Sequence, residues 1–173
     1  MATIQQKVSE YAARYGINDA VAQAQIWTES RYNPRAYNSG TGASGLAQFI
    51  PATWASYGRG GDPFDVDANL DAWGRYLRDL LNQFGGDYTR ALIAYFAGPE
   101  QVEGVLRNPK GNPLSTDYYK GILTRAGSAV PTGEVVSEKP ANEKESADDE
   151  SQLDDEAWML ILGAGLVALW LLG

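Results

Sequence analysis

Glu29 stands in the stretch Trp27-Thr28-Glu29-Ser30-Arg31-Tyr32-Asn33-Pro34, after an apolar run with helical spacing and just before a proline break. The chain contains no histidine and no cysteine. That removes thiol nucleophiles, imidazole bases, disulfide frameworks and the usual zinc ligand sets together. Its chemistry must rest on carboxylates, hydroxyls, amides or amines, and no cofactor is expected. The commonest reaction that a lone buried carboxylic acid drives is proton transfer to and from a glycosidic oxygen. Residues 1–130 hold four glutamates. Glu10 shares a helix with polar neighbours, while Glu100 and Glu103 follow Pro99 in a turn expected to be exposed. Glu29 lies beside Trp27 and ahead of Tyr32, where an apolar wall would raise its pKa and keep it protonated near neutrality. A helix C-terminus also disfavours negative charge. A glutamate standing alone at a helix end is usually a solvated surface group, so this position gains weight only from its context.

Other candidates carry less. Asp65-Val66-Asp67-Ala68-Asn69-Leu70-Asp71 imitates the start of a calcium loop, but Leu70 stands where the loop needs glycine and Tyr76 where it needs a bidentate glutamate. These acids are expected to cap the following helix, with Asp62 or Asp65 available to position a water if the reaction is hydrolytic. Ser44-Gly45-Leu46 is no nucleophile elbow, because no base exists to activate the serine. Trp27 and Trp73 read as core aromatics. Phe49, Trp54 and Tyr57 suit either a core or a face offered to a sugar.

The elements that must position these residues are helices. Ile4, Val8, Tyr11 and Tyr15 share one helical face that Gly16 ends. Asn18 suits the N-cap of a helix from Asp19 to about Glu29, carrying Val21, Ala24 and Trp27. Pro51 opens a further helical turn through Trp54. Leu70, Trp73, Leu77, Leu81 and Phe84 form an amphipathic stripe stopped by Gly85 and Gly86. Asp87 can cap the next helix, which Gly98-Pro99 closes, and a last helix is expected from Asp117 to Ala126. Any strands are short and sit in the glycine-rich region 38–50. The fold class is mainly α.

Charge divides the chain. Residues 1–130 hold 12 acids and 12 bases, whereas residues 131–173 hold 10 acids and 2 bases, which accounts for the whole net charge of -8. No basic stripe speaks for nucleic acid. The expected organisation is a compact helical domain over residues 1–128, a disordered acidic linker over 129–156 and a C-terminal transmembrane helix over 157–173. The last segment, AWMLILGAGLVALWLLG, has 17 positions without a charge. As a helix it would reach roughly 26 Å against a hydrocarbon core of ~30 Å. Trp158 and Trp170 near its ends suit a membrane interface. The amphipathic N-terminus, MATIQQKVSEYAARYGI, has no continuous apolar core and is not expected to act as a secretory signal.

Three stretches carry a resemblance. Glu29-Ser30-Arg31-Tyr32-Asn33-Pro34, then Gly45-Leu46-Ala47-Gln48-Phe49-Ile50-Pro51 within Gly42 to Trp54, then Ala94-Tyr95-Phe96-Ala97-Gly98-Pro99 resemble the ES, GLMQ and AYNAGP motifs of the soluble lytic transglycosylases, lysozyme-fold enzymes that cleave peptidoglycan. The resemblance covers about residues 4–125 and implies the α+β lysozyme-like superfamily. It implies that Glu29 is the single catalytic acid and base. Glu29 would protonate the oxygen leaving the β-1,4 bond between N-acetylmuramic acid and N-acetylglucosamine, then take the proton of the muramic C6 hydroxyl as that oxygen attacks C1. The product would be a 1,6-anhydromuramic end. Tyr95 would hydrogen-bond Glu29, Ser44 and Gln48 would reach sugar N-acetyl or hydroxyl groups, Phe49 would line the substrate cleft, and Gly45 would let the backbone approach the glycan. Two positions depart from the pattern: Ala47 replaces the methionine of GLMQ, and Phe96 replaces the asparagine of AYNAG.

The implied partners are peptidoglycan glycan strands, a lipid membrane through the C-terminal helix, and proteins of a virion or a secretion complex. Peptidoglycan lies outside the cytoplasmic membrane, and a tail anchor without a leader leaves the domain inside. A bacteriophage virion with an internal membrane reconciles these expectations, with genome delivery as the purpose; a bacterial envelope secretion apparatus is the alternative. Within the chemistry, the alternatives are a goose-type-like muramidase using Glu29 for hydrolysis, and a membrane-tethered glycan-binding or structural protein weakened by Phe96.

Overall fold

Local capping signals set most of the helix boundaries. The computed structural model describes residues 2–127. Helix α1 spans Ile4–Tyr15, opens on a capping box between Thr3 and Gln6, and closes on Gly16 at φ 64°. Helix α2 (Asp19–Ser30) starts on Asn18, whose side chain accepts from the Val21 N–H. Helix α3 (Pro51–Tyr57) has Pro51 in its first turn. Helices α4 (Val66–Gln83) and α5 (Tyr88–Ala97) begin on the carboxylates of Asp65 and Asp87, which accept from the N–H groups of Ala68 and Arg90.

Two elements differ from the sequence expectation. Residues around Glu103 form helix α6 (Val102–Arg107) rather than an exposed turn. Six residues are too few to display a period, and tertiary contacts hold them: Val102 and Val105 are buried and Glu103 pairs with Arg90 of α5. Helix α7 (Pro113–Ala126) begins four residues before Asp117, with the preset φ of a proline in its first turn.

The helices close a ring. α1 packs on α2, α2 on α7, α7 on α5, α5 on α4, and α4 returns to α1. Ala91, Leu92, Ile93 and Ala94 of α5 are all fully enclosed, as are Ile26 of α2, Trp73 and Leu77 of α4 and Ile122 of α7. Each large apolar side chain buried in this way contributes roughly 1.5–3 kcal/mol before conformational entropy is subtracted. The ring thus gives α2, α5 and α7 a rigid common interior, and the functional residues lie on its rim.

Extended structure among the described residues is confined to two isolated antiparallel bridges, Tyr37 to Ser44 and Ser44 to Phe49. They shape the glycine-rich loop between α2 and α3, so the described fold is mainly helical. Among the described residues no helix is long and apolar enough to cross a membrane. The acidic linker expected over 129–156 and the anchor expected over 157–173 lie outside the described residues.

Candidate active site

Glu29 occupies the last turn of α2, and the chain turns sharply just beyond it. Arg31 and Tyr32 both adopt left-handed backbone angles, at φ 55° and 61°. Two consecutive non-glycine residues in this region are strained, and Gln48 across the cleft is a third, at φ 49°. A fourth such residue, Arg59 at φ 50°, follows α3, and the first three stand in the two loops that flank one cleft. Glu29, Gln48, Phe49, Tyr95 and Phe96 line it, with Tyr76 behind them.

The glycine-rich loop is held to the helical ring from below. Asn69 of α4 accepts from the Ala47 N–H at 2.9 Å and donates to the carbonyls of Pro63 at 2.8 Å and Ser44 at 3.4 Å. Gly45 sits at φ 76°, and a Cβ there would collide with the Pro63 carbonyl and the Asn69 side chain. The glycine is needed for close approach within the protein. Above the loop, the Tyr95 hydroxyl donates to the Ala47 carbonyl at 2.8 Å. The Tyr95 phenol, expected on Glu29, instead ties α5 to the loop. It remains close enough for the Glu29 charge to help raise its pKa, after burial.

The hydroxyl that does reach Glu29 belongs to Tyr118 of α7. It donates to Glu29 Oε1. Phe96 packs on Tyr118 with ring centroids 4.8 Å apart and an interplanar angle of 31°, so the departure from the AYNAG pattern places an aromatic ring against the phenol that holds Glu29. Burial pushes the Glu29 carboxyl from its ordinary value of 4.5 to about 8, against the opposing pull of the Tyr118 hydrogen bond, which favours the carboxylate. The helix dipole acts in the same direction as burial.

The apolar wall is not the one that sequence adjacency implied. Residues two apart on a helix point to opposite sides, and Trp27 lies away from Glu29, half-buried and flanked by the guanidinium carbons of Arg31 and Arg125 at 3.3 and 3.4 Å from its ring centroid. Tyr32 folds back to donate to the Gln23 side chain at 2.9 Å. Around the cleft the aromatic contacts run from Tyr57 to Tyr76 at 4.8 Å, Tyr76 to Tyr95 at 5.0 Å, and Phe49 to Trp54 at 5.5 Å. Trp73 is fully buried, as its stripe implied.

The structure brings Glu29, Gln48, Phe49 and Tyr95 to one cleft. The Gln48 amide nitrogen donates to the carbonyls of Gly45 and Ala36 at 3.0 and 3.2 Å. Ser44 does not line the cleft; its hydroxyl donates to the Gly42 carbonyl at 2.9 Å and its backbone pairs with Phe49. Asp62 and Asp65 are also elsewhere, accepting from the N–H groups of Phe64 and Ala68. Tyr118, Gln25 and Asn69 were not legible as site residues. Tyr118 is 89 positions from Glu29, and nothing in its local run distinguishes it from Tyr119.

A half-buried, neutral carboxyl at the edge of a cleft can donate a proton to a ligand oxygen and, once ionised, take one back. Comparison with known proteins agrees with a lysozyme-like helical domain. The chain is 36% identical over 91 residues to a protein named transglycosylase from Enterobacteria phage PRD1, covering 53% of this chain and 33% of that one. It is 32% identical over 121 residues to the soluble lytic murein transglycosylase of Escherichia coli (strain K12), covering 65% of this chain and 19% of that one. The crystal structure of the 70 kDa soluble lytic transglycosylase from Escherichia coli superposes with a TM-score of 0.58 at 26% identity, over 69% of this chain and 22% of that one. The chain thus spans a third or less of the length of these relatives. The transglycosylase SLT domain matches residues 6–116, and the chain belongs to that family.

Proposed function

We propose that this protein is a peptidoglycan lytic transglycosylase in which Glu29 is the single acid and base. The observation that carries the reading is the Glu29 carboxyl itself: half-buried at the edge of a cleft, held by Tyr118, and pushed up by burial to about 8. In the first step Glu29 gives its proton to the glycosidic oxygen as the C1–O bond to the muramic residue breaks, and the positive charge that develops falls on the sugar ring. In the second, the ionised Glu29 accepts the proton of the muramic C6 hydroxyl as that oxygen bonds to C1. The carboxyl ends as it began, and no water is consumed.

A hydrolase of this kind commonly needs a second carboxylate to activate water. Glu29 is the sole carboxylate lining the cleft among the described residues, which supports the intramolecular route. Gln48, with its backbone strained into place, and Phe49 would form the substrate-facing wall. Glu29→Gln tests the assignment: turnover of purified peptidoglycan by the variant at the wild-type rate rejects Glu29 as the acid.

The phage relative supports a further step in the reading. A particle-borne enzyme would open the wall locally during genome entry, with the apolar run of residues 157–173 as its membrane contact. Immunodetection in purified particles, against disrupted host membranes, checks it; a signal only in the membranes rejects it.

A further inference from the structure

Behind Glu29 a buried polar chain crosses three helices. The Trp73 indole N–H of α4 donates to Gln25 Oε1 of α2 at 3.1 Å, and Gln25 Nε2 donates to the Tyr118 hydroxyl oxygen of α7 at 3.1 Å. Tyr118 donates in turn to Glu29 Oε1. Trp73 and Gln25 have no solvent exposure at all. A fully buried glutamine is costly unless its groups are satisfied, and this one is satisfied by Trp73 on one side and Tyr118 on the other.

Chemistry at the far end fixes the direction of the chain. An indole can only donate, so the glutamine must present its oxygen to Trp73 and its NH₂ group to Tyr118. The Tyr118 oxygen is then an acceptor from Gln25, and its single proton goes to Glu29. Oε1 is an acceptor in both protonation states of the carboxyl. In the neutral acid the carbonyl oxygen is the stronger acceptor, so the Tyr118 bond to Oε1 favours the proton on Oε2. That oxygen makes no hydrogen bond within the protein, yet no buried side-chain polar atom among the described residues lacks a partner. Oε2 is consequently open to the cleft that Glu29 lines.

We propose that Gln25 is a positioning residue: the one-way chain from Trp73 through Gln25 and Tyr118 favours the proton of Glu29 on Oε2, facing the substrate. This rests on the reading of Glu29 as the acid. The titratable groups that face Glu29 are Tyr118 of α7 and Tyr95 of α5, with Tyr76 of α4 behind Tyr95, and burial raises the pKa of each. The charges of α1 are engaged elsewhere, Lys7 with Asp67 and Arg14 with Glu10.

The test uses two variants of the full chain acting on soluble glycan strands. Gln25→Met removes both hydrogen bonds at similar volume. Gln25→Glu, while protonated, keeps an acceptor toward Trp73 and a donor toward Tyr118. Gln25→Met is expected to lower kcat roughly tenfold at unchanged KM, and to move the alkaline limb of kcat to higher pH as Tyr118 loosens its hold on the carboxylate. Gln25→Glu is expected to restore kcat at acid pH and to lose it as the new carboxyl ionises. A folded Gln25→Met with wild-type kcat and pH profile overturns the proposal. Should Gln25→Met fail to fold, Gln25→Glu decides, and a wild-type profile from acid to neutral pH overturns it. Glu29→Gln measured alongside separates the two readings: surviving turnover rejects the acid, whereas a dead Glu29→Gln beside a wild-type-like Gln25→Met rejects only the chain.

Discussion

The Tyr118 hydroxyl donates to Glu29 Oε1 across 89 positions of sequence, joining the last helix of the ring to the end of the second. The bond stabilises the carboxylate while burial opposes it, and burial is the larger effect, leaving a carboxyl that titrates at about 8. Removing the phenol oxygen removes only the opposing part. Tyr118→Phe retains the ring against Phe96 and is expected to raise the Glu29 pKa further. Its kcat should fall roughly tenfold, with the alkaline limb displaced to higher pH. A pH–rate profile with the wild-type alkaline limb would contradict this.

The same shift makes stability depend on pH. The folded state holds on Glu29 a proton that the unfolded chain releases above pH 4.5, up to the folded value of about 8. At Glu29 the folded protein binds more protons than the unfolded chain across that window, so this group's contribution to stability falls as pH rises through it. Glu29→Gln abolishes the dependence. Relative to wild type, the variant should gain on the order of 4 kcal/mol between pH 4.5 and pH 8. Thermal unfolding at the two pH values reads it, and parallel Tm values for both proteins would count against a buried neutral Glu29.

Phe96 covers Tyr118 at 4.8 Å and lines the cleft. Phe96→Asn exchanges that ring for a polar group beside the acid, which eases ionisation. The alkaline limb is expected to move to lower pH, opposite in direction to Tyr118→Phe. Loss of a buried phenyl ring should also cost about 3 kcal/mol of stability, read from denaturant midpoints. An upward movement of the limb would show that Phe96 does not dehydrate Glu29.

Asn69 holds three backbone groups of the glycine-rich loop region. Asn69→Leu leaves the Ala47 N–H and the Pro63 carbonyl without their partner, at a cost of roughly 2–3 kcal/mol. Because Gln48 and Phe49 ride on this loop, KM should rise more than kcat falls. Steady-state kinetics on soluble glycan strands distinguishes this from loss of the acid, which acts on kcat.

What was legible in the sequence was local. Asn18, Asp65 and Asp87 act within three residues of themselves, so the starts of α2, α4 and α5 can be read from short windows. Helix α6 escaped because six residues carry no period and its stability comes from Val102, Val105 and Arg90. At the site, Glu29, Gln48, Phe49 and Tyr95 were placed together by motif order. Trp27 was given the wrong side because adjacency in sequence is not adjacency on a helix. The Tyr95 hydroxyl was given the wrong acceptor, and Tyr118 was missed, for one reason: the choice between two tyrosines depends on how α5 and α7 cross α2, which no local pattern records.

The central claim is that Glu29 passes its proton out and back without water. Mass analysis of the products from purified peptidoglycan tests it most directly. The account predicts muramic ends lighter than hydrolysed ends by one water, from the wild type and not from Glu29→Gln. Ends that carry the added water would contradict it.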